Sequence, residues 1–352
     1  MIDSYRRPVT PTRSNKWLFV TLACAFAVVV YTGVWIYLAT IAREATLDWV
    51  DARRGEGYTV RFDSMEETGY PMRIRLDIAN PGIGGPNSPN PWGWEGEKLE
   101  VSLTPWDWTT VRLKTTGQQM LSFTMPDTEM STYIGETENV SVSVGGRGLD
   151  VSINGLTLNG DKPGLGGLAV SSGRVHVEKP DSDGADMDIR LNGLRLPNFM
   201  ATPLGKGIRE FQVEARLQGH LESGPMRDSL EVWRDAGGTI EIERLSVRHG
   251  PLALKGDGTL ALDAALQPIG AFTAHVEGLF DAIDALKETG LVKSRDAVAA
   301  KMILGVMSRR SDNGGPPILN LALTLQDRQL FAGPVGLMKF DEVDWKQFGR
   351  ID

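Results

Sequence analysis

Four histidines, one acidic cluster and two glycine-rich strings are the residues of this chain best equipped for chemistry. His176, His220, His249 and His275 stand 26 to 44 residues apart and form neither H-x-H nor H-E-x-x-H. A zinc site needs several such ligands to converge, and this spacing does not supply them. Asp181-Ser-Asp-Gly-Ala-Asp-Met-Asp188 is the densest carboxylate group, but its order departs from a calcium loop and Asn192 stands where the loop's last ligand should be Glu. It reads as a solvated hairpin tip. Gly145-Gly-Arg-Gly-Leu-Asp150 opens like a calcium-binding β-roll repeat, yet no tandem copy follows. Residues 164–169 and 256–261 both fit G-x-G-x-x-A, a string that binds dinucleotides only between a parallel strand and a helix; neither is followed by a helical pattern, and both read as turns. No serine occupies a G-x-S-x-G elbow. The sequence therefore assigns no catalytic residue, metal ligand or cofactor, and a non-enzymatic protein is expected.

Two tryptophan pairs, Trp92-Gly-Trp94 and Trp106-Asp-Trp108, are spaced so that both rings of a pair share one face of a strand. Stacking on a sugar is one use of such a pair, and closing the end of an apolar core or groove is the other. Pro91 and Pro105 put the pairs at strand boundaries, which favours the second.

The elements that would position these residues begin with a membrane span. Trp17 to Ile41 is a run of 25 residues without a charge, and at ~1.5 Å per helical residue it crosses a ~30 Å hydrocarbon core. A cleaved signal peptide would carry a shorter apolar region, so the span is expected to be retained. Arg6, Arg7, Arg13 and Lys16 precede it against a single Asp3, which predicts a cytoplasmic N-terminus. Residues 1–16 then form a cytoplasmic tail, 17–41 the anchor, 42–57 a helical linker and 58–352 a β-rich domain. Cys24, the only cysteine, lies inside the span, so disulfides and thiol chemistry are excluded beyond it. Past residue 42 there are 33 basic and 44 acidic side chains, a net of −11, which speaks against nucleic acid.

From residue 58 to about 278 apolar and polar residues alternate with period two, as in Met72-Arg-Ile-Arg-Leu-Asp-Ile78 and Ile240-Glu-Ile-Glu-Arg-Leu-Ser-Val247. Forty glycines and nineteen prolines punctuate these runs. The fold class expected is mainly β with few helices: a long, twisted or curled antiparallel sheet, since helical crossovers are missing. Ile153-Asn-Gly-Leu-Thr-Leu158 recurs as Leu191-Asn-Gly-Leu-Arg-Leu196, marking either two mid-strand bulges or two N-G hairpin turns. Helices are expected at 226–236 and as a hairpin at 279–308. Gly290 would end its first helix and Ser294 would cap its second, with Leu279, Ile283, Leu286, Val298, Met302 and Val306 on the apolar side. Residues 318–325 and 329–340 should close the sheet as a hairpin around Asp327-Arg328.

Several strings resemble a known family. Gly69-Tyr-Pro-Met-Arg73, Trp94, Pro105-Trp106, Pro251-Leu-Ala-Leu-Lys-Gly-Asp-Gly258, Pro268-Ile-Gly270 and Leu330-Phe-Ala-Gly-Pro334 are similar to the single-anchor Gram-negative envelope proteins of the domain of unknown function numbered twenty-one twenty-five. The resemblance implies an inner-membrane anchor and a periplasmic domain. The layout also resembles AsmA-type envelope proteins, which implies lipid handling on an apolar sheet face. Lipid or another amphipathic small molecule is the expected ligand, and another envelope protein, bound by a scaffold, is the alternative partner. Ile74, Leu76, Ile78, Trp94, Val101 and Leu103 are the candidate ligand-binding residues nearest the anchor. Trp106, Ile153, Leu156, Leu158, Ile189 and Leu191 are those farther along the chain.

Overall fold

The computed structural model describes residues 16–85, 91–124, 130–179, 184–290, 293–308, 317–333, 335–345 and 350–351. The tail before residue 16, Asp181, Asp183 and the Gly314-Gly315 loop lie outside them. Helix α1, Lys16–Gly55, runs unbroken through the expected anchor and linker. It is long and apolar enough to be a candidate membrane span, and Cys24 is exposed on it.

The alternating runs become strands of one large antiparallel sheet. Its first hairpin is kinked: β1 (Thr59–Arg61) and β2 (Ser64–Thr68) pair respectively with β4 (Gly82–Gly85) and β3 (Ile74–Ala79), and β3 and β4 share the next strand, β5 (Trp92–Thr104). The chain then meanders through β6 (Asp107–Phe123), β7 (Ser131–Gly145), β8 (Gly148–Gly160), β9 (Gly167–Glu178), β10 (Gly184–Arg195) and β11 (Gly207–Gln218). A short strand β12 (Gly224–Pro225) and helix α2 (Met226–Asp235) interrupt it before β13 (Thr239–His249), β14 (Leu252–Leu262) and β15 (Pro268–Glu277). Helices α3 (Leu279–Glu288) and α4 (Ser294–Met307) follow, then β16 (Ile318–Gln326), β17 (Gln329–Ala332) and β18 (Val335–Lys339). A two-residue β19 (Arg350–Ile351) pairs with β12. Among the described residues no pairing joins β18 back to β1 or β2, so the sheet is open.

Because directly paired residues of antiparallel strands share a face, the registers show how the two faces are composed. Leu76 stands opposite Val101, which continues to Leu113, Val142, Val151 and Val175. The same row proceeds through Ile189, Val213, Leu245, Gly256, Ala274 and Leu321. A second row starts at Ile78 and Leu99 and passes Val140, Ile153, Leu191 and Phe211 to reach Val276 and Leu319. The opposite face carries Arg75, Ser102, Arg112, Ser143, Asp150, His176, Asp188 and Glu214 in register.

Helices cover the apolar face at its two ends and, between them, along one margin, where Leu230 and Trp233 of α2 pack with Leu217, Ile240 and Leu262. Ala42 and Leu47 of α1 pack on Met65, Leu76 and Ile78. At the other end Leu279, Phe280 and Leu304 pack on Ala274, Val276, Leu319 and Leu321. Between them Leu113, Val142, Val151, Val175, Ile189 and Val213 remain partly exposed.

Five local expectations are settled here. Gly155 and Gly193 both adopt φ +60° in mid-strand; the ladder skips them but resumes in the same register, so the repeated N-G strings are neither hairpin turns nor bulges with an added residue but kinks within continuous strands. Residues 256–261 lie inside β14 and form no turn, whereas Gly164 and Gly166 do bend the chain at positive φ before β9. Ser294 is the first residue of α4 and caps nothing; Lys293 holds the cap position. Among the described side chains of α4 the buried one is Ala297, while Val298 and Met302 are exposed, the reverse of the expected face; Val306 lies outside the described side chains. Finally, the expected strand over 329–340 breaks at Gly333, φ +55°, into β17 and β18.

Candidate apolar groove beside the first helix

Residues 42, 45, 46, 49 and 50 recur at the spacing that places side chains on one side of a helix. In α1 these are Ala42, Ala45, Thr46, Trp49 and Val50, and they roof an open-sided cavity of ≈ 480 Å³ over the first strands of the sheet. Three of the five are small, which leaves room beneath the helix. The floor is made by alternation: Ile74, Leu76 and Ile78 of β3 are 1%, 2% and 6% exposed and face Leu103, Val101 and Leu99 of β5. Val111 and Leu113 of β6 extend the floor, and Phe62, Ile83 and Trp94 wall it. The volume falls within the ~300–1,000 Å³ range of small-molecule sites. Arg61 is the one charged side chain in the lining, and it is ion-paired with Glu95.

Trp94 is fixed from behind. Its Nε1 donates to Gln119 Oε1 at 3.0 Å, and Gln119 Nε2 donates to Thr115 Oγ1 at 3.0 Å. Thr115 Oγ1 donates to the Lys98 carbonyl at 2.9 Å. Gln119 and Thr115 are buried, so each must be satisfied internally, and the chain of bonds sets the ring against the cavity. On the polar side of the same strands Asp77 receives Thr68 Oγ1 at 2.7 Å and faces Lys98 Nζ at 3.1 Å and Arg75 Nε at 3.3 Å. Partial burial works to raise its pKa, but the bonds from Thr68 and Lys98 and the charge of Arg75 outweigh it and hold the carboxyl below its usual range.

Of the twelve candidate residues the structure brings six into this cavity: Ile74, Leu76, Ile78, Trp94, Val101 and Leu103. Ile153, Ile189 and Leu191 lie farther along the same apolar rows. Leu156 and Leu158 fall beyond the kink at Gly155, where Leu158 is 3% exposed and belongs to packed interior. Trp106 stands apart, 68% exposed in the turn between β5 and β6, and Trp108 is 75% exposed, so this pair fills neither core nor groove. The helix residues of the roof were missed, although the spacing of Ala42, Ala45, Thr46, Trp49 and Val50 is a readable signal.

The histidines are dispersed. His176 Nδ1 and Asp150 Oδ1 are 2.7 Å apart on the polar face, while His249 Nε2 meets Thr202 Oγ1 at 3.1 Å and the Gly205 carbonyl at 2.9 Å. Among the described residues no three His, Cys, Asp or Glu side chains are grouped to hold a metal.

No curated protein and no solved structure matches the chain. A family model described as "Uncharacterized protein conserved in bacteria (DUF2125)" matches residues 35–340. That match takes in the cavity, the apolar rows and all the sheet-covering helices, and it begins at Trp35, whose Nε1 donates to the Arg73 carbonyl. A match of that extent places the chain in the DUF2125 family of uncharacterised bacterial proteins.

Proposed function

We propose that this protein is a single-pass inner-membrane protein, with its N-terminus in the cytoplasm and its sheet in the periplasm, that shelters lipid acyl chains on the apolar face of the sheet without bond chemistry. One observation carries the reading: apolar rows begin in the cavity beside a candidate membrane span and continue across twelve strands, partly exposed for most of the way. Water-soluble domains rarely leave so large an apolar surface uncovered without a guest for it. At ~0.8 kcal/mol per buried methylene, a sixteen-carbon chain represents on the order of 10 kcal/mol before ordering costs, enough to hold it outside a bilayer. The orientation is supported by the four basic residues ahead of the span.

Photo-crosslinking in intact membranes tests the binding. A photoreactive residue replacing Val101, on the cavity floor, should yield a lipid adduct visible by mass. The same residue replacing Arg112, on the opposite face, should not. Equal labelling at both positions, or none at Val101, overturns the reading. For orientation, alkaline phosphatase fused after Asp352 should be active; an inactive fusion beside an active cytoplasmic reporter reverses it.

A further inference from the structure

We infer that the two hairpin tips beside α1, residues 69–73 and Pro105-Trp106, are seated in the surface of the bilayer, so that the cavity opens onto lipid and not onto water. This rests on the reading of α1 as a membrane span and of lipid as the cavity's guest, and it adds the route between them.

The argument starts from length. The tip at residues 69–73 is bonded to α1 well inside its apolar run. Tyr31 Oη donates to the Pro71 carbonyl, Thr32 Oγ1 and Tyr70 Oη are 2.8 Å apart, and Trp35 Nε1 donates to the Arg73 carbonyl at 3.1 Å. The Tyr70 ring meets Trp35 edge-on with centroids 5.5 Å apart. If this tip stayed in water, the hydrocarbon would have to be crossed between Lys16 and Tyr31. Those fifteen steps give about 22 Å at ~1.5 Å each, short of the ~30 Å core. The span needs residues level with the tip, so the tip lies where the span ends, in the bilayer surface.

The composition of the tips agrees. Ile74 pairs with Leu103, which sets the turns at 69–73 and 105–106 side by side at one end of the sheet. Tyr70, Met72, Trp106 and Trp108 are 48%, 65%, 68% and 75% exposed, which is costly in water and ordinary at a headgroup boundary, where Trp and Tyr concentrate. Arg73 suits the phosphate level of that boundary. Asp107, the one acidic residue beside these tips, accepts Thr109 Oγ1 at 2.9 Å. The next turn at this end of the sheet, around Gly146-Arg147, has no aromatic residue. Ile74 and Leu103, the first floor residues of the cavity, follow directly on the two tips, so an acyl chain leaving the bilayer there meets apolar side chains at once.

The test uses the full-length chain with Cys24→Ser, reconstituted in nanodiscs of phosphatidylethanolamine and phosphatidylglycerol. Single cysteines at Met72, Trp106 or Gly146 carry an environment-sensitive fluorophore. Labels at 72 and 106 should lose most of their fluorescence to lipids bearing a nitroxide near the headgroup end of the acyl chain and be shielded from aqueous iodide. The label at 146 should behave in the opposite way. If 72 and 106 are quenched by iodide as freely as 146, the tips are in water and the inference is overturned. Crosslinking from Val101 in the same nanodiscs separates the two ideas. A lipid adduct with water-exposed tips sinks the docking and leaves lipid binding standing; shielded tips without an adduct do the reverse.

Discussion

His176 illustrates what single residues contribute on the polar face. It sits 2.7 Å from Asp150 and 3.8 Å from Glu178. The hydrogen bond to Asp150 is the main cause of a pKa raised above the ordinary imidazole value. A raised folded-state value means that the pair's contribution to stability is present in full below the unfolded pKa of ~6.5 and is lost as pH rises through the folded one. In an NMR titration His176 should therefore titrate above ~6.5, and Asp150→Asn should bring it back toward that value. An unchanged midpoint in the variant would show that Asp150 does not set it. Neither residue faces the apolar rows, so lipid crosslinking at Val101 should be indifferent to the same substitution.

At the scale of elements, period two is written locally in each strand, which is why the strands were legible from the sequence. Features that depend on a neighbour were not. Asn-Gly serves a hairpin turn and a bulge equally well, and only the registers, which run unshifted past Gly155 and Gly193, show that it makes neither here but kinks a continuous strand. Alpha-helix α4 has apolar residues on two sides, Ala297 and Leu304 on one and Val298 and Met302 on the other. Spacing alone could not say which side meets the sheet. Gly155 also offers a test: a Cβ there would come within 2.7 Å of Glu138 Cγ at φ +60°. Gly155→Ala should cost about 1–3 kcal/mol through backbone strain, read as a lower denaturant midpoint of the sheet domain. No change would mean that the kink relaxes freely.

At the scale of the molecule, twelve strands at ~4.8 Å spacing carry the apolar rows over about 50 Å, more than the ~30 Å thickness of a hydrocarbon core. The half of the site nearest the anchor was legible because β3 and β5 each announce a buried face. Its roof lay in a stretch read only as a helical linker between anchor and sheet, and the pairing that joins distant strands into one lane is invisible to local pattern. If the lane conducts acyl chains, Val175→Lys at its middle should leave lipid adducts at Val101 intact. It should abolish those captured by a photoreactive residue at Leu254, beyond the block. Equal capture at Leu254 in both proteins would mean that the lane is not a route.

The unbroken course of α1 has a mechanical corollary. Forty residues of continuous helix form a rod of about 60 Å whose apolar part lies in the bilayer in the proposed anchoring and whose later part roofs the cavity. With no kink between them, the two parts turn together. A span longer than the local hydrocarbon thickness tilts to fit it, and the sheet, packed on the rod through Leu76 and Ile78, must swing by the same angle. Bilayer thickness thereby becomes a lever: the thinner the membrane, the larger the angle through which the sheet swings.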